Sequence, residues 1–307
     1  SVRASAARRL GLADAKAQER DARTEATLDV LQAAIEQSHQ PLTHDTLHGW
    51  QAALFPNGRS GVQKIRTGAY RDHAEPMQIV TPRLGKPDIV HYQAPDSADV
   101  QAQMTRLIDW FNSSYNQTDG LVRAALAHLW LEAIHPFEDG NGRVGRALVE
   151  MALAQDLKTD KRLWSLSQQM WLDRAGYYAQ LQAATGQANM DVTPWVQWFV
   201  GCVHKAADAT WEYMQTALRK TRFWAELRAE HPQLTPTQIK AINKLYDVGP
   251  DGFANGISTE KYVNLCRVSR ATAYRELTAL CEVGVLVQTG TGRGTRYRLR
   301  ANEELHR

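Results

Sequence analysis

Apolar residues recur at intervals of three and four along most of this chain, which is the spacing of one face of an α-helix. The stretches with this spacing predict helices at 4–38, Leu42–Leu54, Val100–Asn112, Leu121–Ile134, from about Gly142 onward, and within Leu163–Leu181. Between Arg66 and Pro95 the spacing gives way to Gly, Pro and β-favouring residues, and Gln78–Thr81 and Ile89–Tyr92 there predict a β-hairpin. The sequence therefore predicts a mainly α chain with one early hairpin.

A second unit follows two prolines, Pro232 and Pro236. Helical patterns at Ile239–Tyr246, Ser258–Cys266 and Ala271–Cys281 precede strand-like residues at 284–287 and 297–299. This order of elements resembles a winged helix-turn-helix. We expect an N-terminal helical segment at 1–40, a larger domain at 41–220, a linker at 221–234 and the small domain at 235–307.

Composition fits a globular protein without a disulfide framework. The chain has 307 residues, 43% of them hydrophobic and 22% charged, with a formal net charge of +3. Its three cysteines form no CxxC pair, so we expect reduced thiols rather than disulfides or a zinc site. With no membrane-length apolar stretch and no signal peptide, the sequence predicts a cytoplasmic protein that does not bind membranes, as a monomer or a homodimer.

The stretch from His135 to Arg146, HPFEDGNGRVGR, places groups suited to a nucleotide polyphosphate within twelve residues. Gly140, Asn141 and Gly142 allow a tight turn whose N–H groups face an anion, at the predicted start of a helix. Arg143 and Arg146 are spaced to grip consecutive phosphates. Asp139 is a hard oxygen ligand for Mg²⁺, and His135 is able to take a proton near neutral pH. The alternative is a polar interhelix loop with solvated arginines.

The same stretch resembles, without mismatch, the signature of Fic-domain enzymes, and the resemblance extends from about Pro41 to about His204. It implies a Fic-type helical domain that acts as a protein adenylyltransferase, moving AMP from ATP to a Ser, Thr or Tyr hydroxyl of a target protein and to itself. His135 is then the general base and Asp139 holds Mg²⁺. The residues implied in ATP binding are Gly140, Asn141, Gly142, Arg143, Val144, Gly145 and Arg146, and Phe137 is implied to anchor the loop in the core.

The resemblance assigns two further groups of residues. It identifies the predicted hairpin as a flap that holds the target by strand-like pairing, with Ile79, Val80 and Thr81 as target-binding residues; the alternative is an inert surface hairpin. A Tyr-Tyr pair, Tyr177 and Tyr178, is implied to border the adenine pocket, although an aromatic pair at helical spacing also suits a core. Thr185 stands where relatives often have Asn. We expect His128 to be a packed helix residue rather than a metal ligand.

Basic residues concentrate in the C-terminal unit, where residues 261–300 hold eight Lys/Arg and two Asp/Glu. Arg270 and Arg275 on the candidate recognition helix and Arg293 on the wing suit contacts with DNA phosphates. Winged helices also dock proteins, and that alternative stays open. The competing function is a DNA-binding regulator whose Fic-like domain senses a nucleotide, or a Fic enzyme that also removes AMP.

Many Fic proteins carry an inhibitory helix with the pattern Ser/Thr-x-x-x-Glu-Gly/Asn, whose Glu pairs with the second arginine of the motif. No Glu in this chain is followed by Gly or Asn. The chain resembles a form that begins just after such a helix, with Arg146 unpaired by any internal Glu. We therefore expect a constitutively active form.

Overall fold

A computed structural model describes residues 22–75, 77–81, 89–161, 164–186, 191–248, 253 and 256–300. The helices are α1 (Ala22–Glu36), α2 (His44–Leu54), α3 (Ser97–Ser113), α4 (Gly120–Ile134), α5 (Asn141–Leu157), α6 (Leu166–Leu172), α7 (Arg174–Gly186), α8 (Thr193–Glu230), α9 (Pro236–Val248), α10 (Thr259–Cys266) and α11 (Arg270–Glu282). The strands are β1 (Arg59–Ser60), β2 (Gln63–Lys64), β3 (Gln78–Thr81), β4 (Ile89–Gln93), β5 (Leu286–Thr289) and β6 (Arg296–Leu299). The predicted fold class, mainly α, is confirmed.

The chain divides into two compact units with a boundary between Trp211 and Glu212, inside α8. The range 221–234, expected to be a linker, is helical as far as Glu230. Its apolar residues explain the difference, since Leu227 is buried in the core of the second unit and Phe223 and Trp224 pack against that core. Such side chains favour a continued helix over an exposed connection.

In the first unit, α4 and α5 form the centre of the core. About two thirds of the positions in both helices are buried, including polar ones. Helix α4 packs against α3 and α5, and α5 also contacts α1 and α2. Asp119 caps α4 by accepting from the N–H groups of Leu121 and Val122. Residues 135–140 connect these two central helices, so the motif is held by the core of the unit.

Two predicted elements near the motif differ in detail. The helical pattern at 163–181 forms two helices, α6 and α7, separated at Asp173, which accepts a hydrogen bond from the N–H of Gly176. The side chain of Asp173 thus competes with a continuous helix for backbone donors. Residues 1–21 of the predicted N-terminal helix lie outside the described residues, and α1 accounts for the rest.

All strands occur in two-stranded antiparallel hairpins. The predicted hairpin is confirmed as β3 paired with β4, with Gln78 opposite Gln93 and Thr81 opposite Ile89 and a register shift between Ile79 and Val80. Residues 82–88 between its strands lie outside the described ones. Within the described ranges, we find no helix with the length and apolarity needed to span a bilayer.

The second unit builds its own core from the end of α8, helices α9 to α11 and a final hairpin. Helices α10 and α11 begin with Ser258 and Ser269 as side-chain caps. β5 pairs with β6, and Ile257 adds a bridge to Tyr297. The predicted order of three helices and a hairpin is present in the described part of this unit; its assignment as a winged helix stays a prediction.

Candidate functional site

Helix α4 ends in a left-handed turn that places His135 at the rim of the motif. His135 has φ 50° and ψ 59°, and its N–H donates to the carbonyl of Leu131. Pro136 follows, and its missing N–H prevents the helix from continuing. The imidazole is therefore fixed by the end of a buried helix rather than by a free loop.

Side chains from distant parts of the chain bind the last carbonyls of α4. Arg71 Nε donates to the carbonyl of His135 at 2.9 Å, and its Nη2 donates to those of Ile134 and Pro95. The Tyr92 hydroxyl donates to the carbonyl of Ala133 at 2.5 Å. Carbonyls at a helix end have no partner within the helix, and these contacts satisfy them while they fix the backbone of His135.

Asn141 closes the loop from inside. Its Oδ1 accepts from the Phe137 N–H at 2.9 Å, and its Nδ2 donates to the Phe137 carbonyl at 2.7 Å. Phe137 is fully buried and packs against Tyr70 and His48, so its predicted role as an anchor is confirmed. Asn141, 3% exposed, therefore shapes the loop through its side chain, and its role in ATP binding stays a prediction.

Gly140 precedes α5 with φ 94°, a conformation that side chains rarely adopt. A Cβ atom there would also lie 2.9 Å from Cε2 of Phe55. No side chain caps the N-terminus of α5 in the described residues, so the first N–H groups of this buried helix face the loop. The site thus has the backbone donors and the positive helix end that suit an anion.

The Asp139 carboxylate lies at the rim of this anion-binding turn with 37% of its side chain exposed. It accepts hydrogen bonds from Ser60 Oγ and from the N–H of Gly140, and its Oδ1 is 3.6 Å from Arg143 Nη2. Ser60 comes from the short β1–β2 hairpin, which therefore helps to set the direction of the carboxylate. A partly exposed carboxylate beside a phosphate-sized turn is a suitable single ligand for Mg²⁺.

Arg143 and Arg146 supply positive charge one turn apart at the start of α5. The Arg143 guanidinium stacks 4.4 Å over the Phe55 ring, and burial lowers its pKa while Asp139 opposes the shift. Within the described part of the chain, we find no carboxylate within ion-pair distance of Arg146. The Arg146 charge nevertheless acts on the buried Glu132, whose ionised form it favours.

The two ring nitrogens of His135 have different surroundings. Nδ1 lies 3.4 Å from the Glu132 carbonyl and 3.9 Å from Glu132 Oε2, so both of its neighbours are acceptors. The proton of the neutral ring is therefore assigned to Nδ1, which leaves the lone pair on Nε2. Burial lowers the pKa of His135, and the Arg71 charge lowers it further, whereas the Glu132 carbonyl and Asp139 raise it. The ring is neutral at physiological pH and able to accept a proton.

A buried polar cluster lies beneath the loop. His128 stacks on Trp195 and its Nε2 lies 3.2 Å from the Tyr177 hydroxyl, which confirms it as a packed helix residue. Burial lowers its pKa to about 4. Glu132, 5% exposed, has a pKa raised to about 7 by burial. Gly145 makes room for the cluster, since a Cβ there would lie 2.8 Å from His128 Nδ1 and 3.1 Å from Glu132 Oε1.

Several predicted ATP-binding residues face the interior. Val144 is fully buried in the core and its N–H donates to the Gly140 carbonyl, so it offers no group to a ligand. Gly145 faces the buried His128 and Glu132, where a side chain at position 145 would not fit. Tyr177 is half-buried among His128, Trp195 and Trp198, whereas Tyr178 is 45% exposed with its ring edge on Tyr177. Of the two tyrosines, Tyr178 is the accessible one.

The residues predicted to bind the target or DNA lie on strand β3, on α11 and in the turn between β5 and β6. Ile79, Val80 and Thr81 form strand β3, and the backbone of this hairpin packs beside α7 through β4. In the second unit Arg270 and Arg275 are exposed on α11, and Arg293 is exposed in the turn between β5 and β6. The structure thus brings together the motif residues His135, Asp139, Gly140, Arg143 and Arg146. Strand β3 belongs to the same unit.

Four residues important for the site were not predicted from the sequence. Arg71, Tyr92 and Glu132 surround His135, and the fully buried Gln51 donates to the carbonyls of Asp139 and Arg66 and accepts from the N–H of Gly68. Gln51 and Asp139 are 88 positions apart in the sequence. The one available hint was Glu132 itself, an acidic residue in an otherwise apolar helix.

Comparison with known families supports the two-part organisation. The family model described as "Fic/DOC family" matches residues 41–153, which include the whole motif. The model described as "Transcriptional regulator DIP2311-like, C-terminal domain" matches residues 254–300. The two matches fall in different structural units.

Curated relatives match the first unit. The chain is 31% identical over 176 residues to "Protein adenylyltransferase Fic" of Drosophila willistoni, which covers 56% of this chain and 31% of that protein. It is 31% identical over 148 residues to "Protein adenylyltransferase fic-1" of Caenorhabditis briggsae, and this match covers 48% of this chain and 26% of that protein. The matched region spans about a third or less of the length of these relatives.

Among solved structures, a Fic family protein from Desulfovibrio desulfuricans G20 aligns with 97% of this chain and 84% of its own at 21% identity and a TM-score of 0.48. Residues 41–153, which contain the intact motif from His135 to Arg146, are thus similar to the Fic/DOC family.

Proposed function

We propose that the first unit is a protein adenylyltransferase that moves AMP from ATP to a hydroxyl side chain of a target protein and of the chain itself. The observation that carries this proposal is the arrangement of His135. A neutral imidazole with its Nε2 lone pair available stands at the rim of a turn that offers backbone N–H groups, a helix N-terminus and two arginines. A base beside an anion-binding turn is what transfer of a nucleotide to a hydroxyl requires.

The reaction is an in-line displacement on the α-phosphorus of ATP. The target oxygen gives its proton to His135 Nε2 and forms a bond to the α-phosphorus, while the bond from that phosphorus to the bridging oxygen breaks and pyrophosphate leaves. Arg143, Arg146 and the first N–H groups of α5 offset the negative charge on the phosphates. Strand β3 aligns the target segment through backbone pairing, and Tyr178 borders the base.

Mg²⁺ fits this site as an ion carried by the nucleotide. Within the described residues, no group of three or more His, Cys, Asp or Glu side chains is placed to hold a metal. Asp139 is the carboxylate proposed to face the ion, since the neighbouring Glu138 accepts from the N–H of Arg66. Phosphate oxygens and water complete such a site in many Mg²⁺-nucleotide proteins. The bound ion supplies positive charge to the phosphates.

The proposal is tested by the fate of two differently labelled nucleotides. We expect full-length protein incubated with Mg²⁺ and ATP to become labelled from the α-phosphate and not from the γ-phosphate, because the bond broken lies between the α- and β-phosphates. Mass spectrometry of the labelled protein should locate AMP on Ser, Thr or Tyr. Label from the γ-phosphate would identify a kinase-type reaction, and no label on the chain or on lysate proteins would contradict the proposal.

A second candidate function, binding of DNA by the C-terminal unit, rests on the exposed surface of α11. Arg270 and Arg275 are exposed there beside Tyr274, which is 61% exposed. Within residues 256–300 these arginines have no carboxylate partner, since Glu276 turns inward to accept from Thr237 and Tyr262. The two arginines are therefore available for contacts with phosphates.

For this function we expect the affinity of the full chain for a mixed-sequence DNA duplex to fall steeply as salt rises, because phosphate contacts release counterions. Replacing both Arg270 and Arg275 with Ala should reduce the slope of log affinity against log salt by about one for each lost contact. Fluorescence anisotropy at several salt concentrations measures the slope. Arg222→Ala, an exposed arginine on α8, is the matched control, and no binding at low salt would favour a protein-docking role.

A further inference from the structure

Glu132 is a buried carboxyl group whose hydrogen bonds are incomplete. Its side chain is 6% exposed, and Oε1 has no hydrogen-bond partner among the described residues. A buried carboxyl group without full compensation destabilises a fold. It lies on α4, a mostly apolar helix of the core. Stability alone therefore gives no account of an acid at this position.

The second oxygen of Glu132 faces the proposed base. Oε2 lies 3.9 Å from His135 Nδ1, one turn along the same helix. The left-handed conformation of His135 turns its ring back over α4, so Nδ1 meets the Glu132 carbonyl and carboxyl group together. Arg71 and Tyr92 bind the carbonyls of His135 and Ala133 and so fix the backbone around this pair. The short distance between Glu132 and His135 is therefore set by tertiary contacts.

The other charged and titratable groups around the pair come from several elements. His128 lies on the same helix, Arg146 on α5 and Tyr177 on α7, while Asp139 and Arg71 face His135 from the loops. Arg146 favours an ionised Glu132, and Gly145 leaves room for the carboxyl group beside the first turn of α5. A carboxylate is thus accommodated between the base and the phosphate-facing helix.

We propose that Glu132 is a positioning residue for His135, which holds the proton of the neutral ring on Nδ1 and stabilises the imidazolium formed during transfer. This rests on the proposed function of His135. When the target hydroxyl proton moves to Nε2, the ionised form of Glu132 offsets the new positive charge on the ring. The oxygen–phosphorus bond forms and pyrophosphate leaves as before, so Glu132 changes the strength of the base and not the course of the reaction.

The test compares Glu132→Gln with a matched control in the full-length protein. Gln keeps the size of the side chain and removes its charge. Glu150→Gln is the control, because Glu150 is equally buried at 6% exposure but lies on α5 away from the motif. We expect Glu132→Gln to lower kcat on the order of tenfold with the KM for ATP unchanged, since the base becomes weaker while the phosphate contacts remain. Glu150→Gln should retain the wild-type kcat.

A second readout does not depend on transfer. NMR of ¹⁵N-labelled histidine in the full chain, with His135 assigned by comparison with His135→Asn, reports both its pKa and its tautomer. A carboxylate close to an imidazole raises the imidazole pKa, so Glu132→Gln should lower the pKa of His135 by about one unit. The acid limb of the kcat profile should then move to lower pH.

The outcomes separate this inference from the proposed function. An unchanged His135 pKa or an unchanged kcat in folded Glu132→Gln overturns the positioning role. A lowered His135 pKa in a protein that transfers no AMP supports the placement of the pair and contradicts the proposed function instead. If Glu132→Gln does not fold, the wild-type tautomer decides, because a neutral ring with its proton on Nε2 overturns the inference.

Discussion

Replacement of His135 is expected to abolish AMP transfer while nucleotide binding survives. Loss of a general base lowers rates by about 10²- to 10⁴-fold, and the groups that face the phosphates all follow His135 in the chain. Quantitative measurement of transferred α-label together with calorimetry of ATP binding separates the two effects. A variant that transfers AMP at the wild-type rate would show that His135 is not the base.

The left-handed backbone of His135 decides which variant is best. Alanine adopts a φ of 50° less readily than histidine does, so His135→Ala combines loss of the base with strain in the loop. Asn tolerates this conformation better, and His135→Asn therefore tests the base with the turn retained. His204→Ala, which removes an imidazole 76% exposed on α8, is the control and should leave transfer unchanged.

Removal of the charged side chains proposed to bind the ATP phosphates and Mg²⁺ is expected to weaken ATP binding itself. Arg146→Ala should lower ATP affinity by about 10- to 100-fold, the effect of losing a charge-assisted contact with phosphate. Asp139→Asn should abolish the dependence of ATP binding on Mg²⁺, since the amide lacks the charge that a hard cation prefers. Titration calorimetry with and without Mg²⁺ measures both effects.

The form of the Asp139 substitution matters because this carboxylate has local partners. Asn is able to keep the hydrogen bond from the Gly140 N–H, whereas Ala would release it together with the contact to Ser60. Asp109→Asn and Arg106→Ala, both exposed on α3, are the matched controls. Unchanged Mg²⁺-ATP affinity in both site variants would exclude this loop as the nucleotide site.

The structure also changes the expectation about Arg146. From the sequence, no internal glutamate was expected to pair with it, because the chain lacks the inhibitory pattern. Glu132 influences Arg146 from beneath the loop, although it forms no ion pair with it in the described residues. Its helix position, three residues before His135, matches no such pattern, and its burial beside Gly145 became visible only when α4 and α5 were packed together.

The sequence by itself determined the local features of this protein. Helical periodicity located the central helices, the Gly-Asn-Gly turn located the start of α5, and the β-favouring residues located the β3–β4 hairpin. The spacing within residues 135–146 was enough to bring the base, the carboxylate and the arginines together. Such features depend on interactions between near neighbours, which short sequence patterns record.

Tertiary structure alone decided which of those side chains are available for chemistry. It directed Asn141 and Val144 inward, left Tyr178 more exposed than Tyr177, and brought Arg71 to the carbonyl of His135 across 64 positions. It also continued α8 through the expected linker as far as Glu230. These outcomes depend on burial and on contacts between distant segments. The stabilising free energy of such contacts arises only when the helices pack, so short sequence patterns do not predict them.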